Sequence, residues 1–272
     1  MKRCLPIAAG LMMLMGCSTP PENARVASER TTPETATATS AVAPLAPAPI
    51  TTEPAAVTPP PSSSLRDVFP HVRVDVSAGI VEFDASVPID AHDERTPLVY
   101  LEVVACPPDT KEHESLLVTN ARGRDIHAVL LMIGLQSGAP ARWDWTGPSL
   151  VAHPPSGDAV EIIVAWGEGA SARQDRITTW IISNRNQTSL DADGGRFVFA
   201  GSRMVSRGGV ERYEAEGAGT LIGLTTFGSE MIAWSNLYHH DSSIADPQWI
   251  ANAATMPPRG TRVVVRIRRA AP

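Results

Sequence analysis

Prolines are distributed so unevenly along this chain that they decide how much of it can fold. Residues 18–64 carry ten of the 24 prolines, set among Thr, Ala and Ser with no hydrophobic periodicity. Such a stretch buries too little apolar surface to offset its ordering entropy, and it reads as a disordered tether. Treated as a flexible coil, its roughly 47 residues span about 40 Å. That leaves 65–272, 208 residues, to build a core, enough for one large domain or two small ones. The formal charge is −6, and the four basic and four acidic residues before position 65 cancel, so the acidity belongs to the domain. This balance argues against a nucleic-acid partner, whose binding surfaces are usually basic.

Ahead of the tether, Lys2 and Arg3 precede an apolar stretch from Leu5 to Met15, the pattern of a secretory signal over residues 1–16. The stretch is about eleven residues, far short of the roughly 20 that span a bilayer as a helix. It ends in Leu14-Met15-Gly16-Cys17, which resembles the lipobox of bacterial lipoproteins, although Met15 stands where a small residue is usual. The resemblance implies cleavage before Cys17, lipid on its sulfur, and a membrane contact made through that lipid. Ser18 in place of Asp favours an outer-membrane over an inner-membrane destination, facing the periplasm. Residues 17–64 are then anchor and tether. With Cys4 removed and Cys17 lipidated, Cys106 is the one thiol of the folded part and has no intramolecular disulfide partner.

Short β-branched runs dominate the domain. His71 to Val76 alternates with period two, Ser77-Ala78-Gly79 turns, and Ile80 to Phe83 returns, predicting a hairpin. Leu98–Ala105, Val160–Trp166, Ile177–Ser183, Phe197–Ala200, Gly219–Phe227 and Arg262–Ile267 also read as strands. In the last, Val263, Val265 and Ile267 share one face and Arg262, Val264, Arg266 and Arg268 the other. Residues 125–135 lack a polar stripe and predict a buried helix stopped by Gly138 and Pro140, with a short second helix near 247–254. The expected fold class is α+β: a mostly antiparallel sheet with one buried helix.

Most motif-like strings read as structure. Gly167-Glu168-Gly169-Ala170-Ser171-Ala172 fits G-x-G-x-x-A, but the β-branched residues that follow predict a hairpin loop. Asp191-Ala192-Asp193-Gly194-Gly195 begins like a calcium loop, lacks its closing Glu, and reads as a turn. His239-His240-Asp241 and the pair Trp143 and Trp145 are lesser candidates, the histidines because neighbours in a strand point to opposite faces. The densest polar cluster runs from Cys106 through Glu112, His113 and Glu114, with His127 on the helix beyond. A thiol, two imidazoles and two carboxylates could hold zinc or copper or form a thiol–imidazole pair. Against that, cysteine is often a small buried hydrophobe and His127 could serve the core.

The run from Leu98 (LVYLEVVACPPDTKEHESLLVTNA), then IHAVLLMIGL, FVFAGSR at 197–203, GTLIGLTTFGSE at 219–230 and PPRGTRVVV at 257–265, resembles the YdjY-domain proteins common in planctomycete bacteria. The resemblance covers nearly all of 68–268. It implies a signature of Glu102, Cys106, Thr110, Lys111, Glu112, His113, Glu114, Ser115 and His127, and assigns none of them a role. The family's name is associated with ferredoxin-like iron–sulfur proteins, but one thiol cannot hold such a cluster, so that role does not carry over.

The expectation is a lipid-anchored cell-envelope protein whose domain is a non-catalytic binding or structural module for a protein or other envelope ligand. The alternative is a metal- or thiol-dependent enzyme, or a metal-binding redox module, centred on Cys106, His113 and His127. A third reading, a carbohydrate-binding module, rests on Trp143 and Trp145.

Overall fold

The computed structural model describes residues 64–146 and 149–271. The signal segment, Cys17 and the tether to residue 63 lie outside them. Eight strands close into a barrel: β1 (Ile80–Ser86), β2 (Val103–Cys106), β3 (Ser115–Val118), β4 (Ala159–Trp166), β5 (Phe197–Val198), β6 (Ile222–Gly223), β7 (Ile232–Trp234) and β8 (Arg262–Arg269). The spatial order is β1-β8-β4-β5-β7-β6-β2-β3, and β3 returns to β1 through one register pair, Ser86 with Val118. The pairs β7–β6 and β2–β3 are parallel, and the other six are antiparallel.

Period two is visible across three neighbouring strands. Phe83, Val265 and Val164 stand in one cross-strand row, and Val81, Ile267 and Ile162 in the next, all buried. The opposite face of β1 carries Glu82, whose register partners Arg73 and Arg266 both turn to it. Arg266 Nε lies 2.8 Å from Glu82 Oε1 and Arg73 Nε 3.5 Å from Oε2. Cross-strand pairs of this kind, with apolar rows beneath, fix register because a one-residue slip would invert both faces. The first hairpin forms as read: Val72–Asp75 pairs with β1 across a return turn that holds Gly79 at φ 65°, and Arg66–Phe69 pairs with the far edge of Val72–Asp75. The loop at 167–172 is also a hairpin connection, joining β4 to the antiparallel strand Arg173–Arg176.

The expected α+β fold is overturned: the described residues are mostly β, a closed barrel with two α-helices among them, α1 (Gly123–Met132) and α2 (Glu214–Ala218). Helix α1 covers most of the predicted 125–135 but is not buried all round. Ile126, Val129 and Leu130 face the core, whereas Leu131 and Met132 are 47% and 49% exposed. It ends earlier than Gly138, because Gly134 at φ 82° takes the left-handed position and the amides of Gly134 and Leu135 return to the carbonyls of Leu131 and Leu130. The predicted helix near 247–254 is instead a strand, Trp249–Ala251, paired antiparallel with Ile181–Ser183. Its aromatic and β-branched residues have a partner strand available, and the backbone follows that pairing. No helix among the described residues is long and apolar enough to cross a membrane.

Phe83 is fully buried in a barrel row, whereas Val76 in the outer hairpin is 55% exposed. Phe83→Ala is therefore expected to cost about 3–5 kcal/mol and Val76→Ala within about 0.5 kcal/mol, read as the shift in urea unfolding midpoint.

Candidate functional site

The parallel pairing of β2 with β3 sets Val103 opposite Ser115, so the residues just before them, Glu102 and Glu114, sit side by side. The Glu102 amide donates to the Glu114 carbonyl at 3.1 Å, which fixes this adjacency in the backbone. Lys111, from the short connection between the two strands, reaches both carboxylates, with Nζ 3.2 Å from Glu102 Oε2 and in close contact with Glu114 Oε1. The same ammonium lies 4.3 Å from the centre of the Phe227 ring, a cation–π contact. Burial, then the charge of Glu114, pushes the Glu102 carboxyl up. Burial works against the Lys111 ammonium, but Glu114 and Glu102 outweigh it and hold Lys111 above its ordinary value.

Two further backbone anchors hold this group. The Glu102 carbonyl accepts from the amides of Leu224 and Thr225, each at 3.0 Å, and from Thr225 Oγ1. Glu230, 1% exposed, takes the Phe227 and Gly228 amides on Oε1 and so shapes the turn that presents Phe227. Burial pushes the Glu230 carboxyl up against the pull of those amides, and its Oε2 has no partner.

The carboxylate pair opens on a cleft of about 510 Å³ whose walls include Tyr100, Tyr238, His239, His240 and Trp249. Tyr238 is fixed by its hydroxyl on Asp193, which also takes Trp234 Nε1 at 2.8 Å and Asn236 Nδ2 at 2.7 Å. Asp193 thus has a structural task, and its segment is one turn of 3₁₀ helix, Leu190–Asp193, closed by Gly194 at φ 73°. The rings of His239 and His240 lie 5.0 Å apart at 13°, with Phe227 stacked on His240 and Trp143 tilted against His239. Their tautomers follow from the backbone. The Asp241 amide donates to His239 Nδ1 at 3.0 Å, which leaves the proton on His239 Nε2. The Thr226 carbonyl accepts from His240 Nδ1 at 3.1 Å, which leaves a lone pair on His240 Nε2.

The residues singled out from sequence do not form one centre. Cys106 is fully buried at the end of β2, and burial pushes its thiol up against the hydroxyls of Ser115 and Thr110. A neutral buried thiol is a poor nucleophile and a poor ligand. Glu112 folds back on its own loop, where its own amide and those of Asp109 and Thr110 hold its carboxylate below the usual range. His113 is 78% exposed with Nε2 3.8 Å from Glu114. His127 belongs to α1 and meets Tyr213 Oη at 2.9 Å. Because that hydroxyl donates to the Gly201 carbonyl at 2.8 Å, the imidazole is the donor and its proton sits on Nδ1. Burial pushes the His127 imidazole down, and Phe199 packs edge-on at 4.9 Å. Among the described residues no group of three or more His, Cys, Asp and Glu is placed to hold a metal ion.

Glu102, Lys111 and Glu114 therefore carry the chemistry of this region; Tyr100 joins them from the same family-like run, His240 from the lesser candidate His239-His240-Asp241, and Tyr238 from a segment that gave no motif. The adjacent histidines are not in a strand, which is why their rings stack where alternation would have parted them. Trp143 is packed against His239 with its indole N–H buried and unpartnered, so it is not an open platform; the side chain of Trp145 lies outside the described set.

Lys111→Met is expected to leave two facing carboxylates without a cation. A carboxyl raised in the folded state binds its proton more tightly there than in the unfolded chain, so stability falls as pH rises through the window above the ordinary carboxylate value. The variant should lose about 1–3 kcal/mol at pH 7.5, the partial exposure of the three side chains having been allowed for, and most of that deficit should vanish near pH 4. Thermal unfolding at both pH values checks this. For Cys106, iodoacetamide followed by peptide mapping should find no adduct in the folded protein and full modification in denaturant.

A family model described as the YdjY domain matches residues 72–268, a span that holds the carboxylate pair, Lys111 and all the cleft residues named above. No curated protein and no solved structure matches the chain.

Proposed function

The chain belongs to the YdjY-domain family, and from that premise we propose a lipid-anchored cell-envelope protein whose barrel is a non-catalytic binding module. The observation that carries this reading is the cleft beside Glu102, Lys111 and Glu114: a concave, aromatic-walled site whose polar groups are held in place by backbone bonds. Ligand sites pair a mostly preformed wall with a few fixed polar groups, and this region has both. Catalysis of the thiol or metal kind would centre on Cys106, His113 and His127, and these three go to the interior, the surface and the Tyr213 hydroxyl respectively.

The lipid part of the proposal rests on Leu14-Met15-Gly16-Cys17 behind a short charged and apolar leader. The protein is of the planctomycete lipoprotein type, with residues 1–16 as signal peptide, Cys17 as membrane anchor and the linker that follows it as its reach into the periplasm from the outer membrane. Expression in a lipoprotein-processing bacterium with labelled palmitate tests it. Label and membrane fractionation are expected for the natural sequence and neither for Cys17→Ala; an unlabelled natural chain sinks the anchor. Metal analysis of the same protein, purified without a metal-affinity step, checks the other half. One equivalent of zinc or copper that is lost in Cys106→Ala would replace the binding module by the metal-dependent alternative.

A further inference from the structure

Charge does not balance beside the cleft. Two part-buried carboxylates, Glu102 and Glu114, share the single ammonium of Lys111. The other charges on the cleft wall, Arg185 and Asp246, pair with each other at 3.0 Å, and His113 adds a charge only when protonated. One negative charge is left over in a place where water screens it poorly, which favours a bound cation. Lys111 over Phe227 shows that the same spot accepts an ammonium between carboxylates and an aromatic face.

An independent observation adds the need for an acceptor. Tyr100 lines the cleft, and its hydroxyl accepts from Asn184 Nδ2 at 2.9 Å, which leaves that hydroxyl's own proton to meet an oxygen of the ligand. His239 offers a second donor, since its proton is held on Nε2. A ligand that suits all of this carries a positive amine and neutral oxygen acceptors close by. A carboxylate on the ligand would face Glu102, Glu114 and Asp246, which disfavours amino acids and leaves hydroxyls. The half-buried rings of Tyr100 and Tyr238 line the same walls, and about 510 Å³ lies within the range of small-molecule sites.

We propose that this cleft binds an amino sugar bearing a free ammonium group, held at Glu102 and Glu114 with its ring against Tyr100 and Tyr238. The assignment rests on the binding-module reading and gives it a ligand class. It moves the sugar site away from Trp143 and Trp145 to the walls around Trp249.

Isothermal titration calorimetry of the full chain with the β-1,4-linked dimer of glucosamine, and separately with its N-acetylated counterpart, tests it. The free amine is expected to bind at least about tenfold more tightly than the acetylated sugar, and Glu102→Gln should weaken it by about tenfold or more. Equal binding of the two sugars by the natural sequence overturns the proposal without recourse to any variant, as does unchanged affinity in a folded Glu102→Gln protein. Binding of neither sugar overturns the ligand class and leaves the module reading standing. Hydrolysis of the bound dimer supports the cleft assignment and overturns the non-catalytic reading.

Discussion

The barrel is closed at a single place, and the rest of the architecture depends on it. Strand β1 gives most of its outer edge to the hairpin strand Val72–Asp75 and meets β3 only at Ser86 with Val118. The next residue, Thr119, does the remaining work of closure. Its amide continues the parallel ladder to the Cys106 carbonyl at 3.0 Å, its Oγ1 donates to the Asp84 carbonyl at 2.5 Å, and the same oxygen accepts the Ala121 amide. One buried threonine, through its amide and its hydroxyl, thus joins β1, β2, β3 and the entry to α1. Cys106 lies beside this seam, which explains a small buried side chain at that position better than any reactivity does.

From the seam outward, polar chemistry is organised by main-chain bonds. The parallel pair that ends at Thr119 begins at Glu102 and Glu114, so the strand pairing that closes the barrel also places two carboxylates together. Backbone amides from 224 and 225 then grip Glu102, and Glu230 grips the turn that carries Phe227. On the far wall Asp193 takes three donors from Trp234, Asn236 and Tyr238. Both walls of the cleft are therefore stiffened by buried or half-buried carboxylates whose own partners lie within the fold. Such buried polar anchors specify a shape more than they add stability.

Local patterns were legible and long-range ones were not. The alternation of Val263, Val265 and Ile267, the first hairpin and the run at Val160–Trp166 could be read because period two is a local signal that the barrel keeps. Barrel closure could not, because it depends on one pair of residues and on strands of only two or three residues, such as Ile222–Gly223. The apolar run at 125–135 misled because apolar content does not say how much of a helix the neighbours will cover. At the site, Glu102, Lys111 and Glu114 lay inside the quoted family string. The sequence held nothing to say that Lys111 bridges the two acids, since that follows from a parallel register. Tyr238, His240 and Trp249 come from a different region of the chain, and no spacing rule connects them to residue 102.

The position of β8 has a consequence for how the molecule is made. This strand, at 262–269, inserts between β1 and β4 and supplies the partner edge to both. A ribosome delivers β1 some 180 residues earlier. Through most of translation, and through any passage across a membrane, the two longest apolar edges wait unpaired. Nascent chains of this kind need a companion that shields those edges. A stop or frameshift before residue 262 would yield a chain with two sticky edges and no barrel, a product suited to proteolysis more than to partial function.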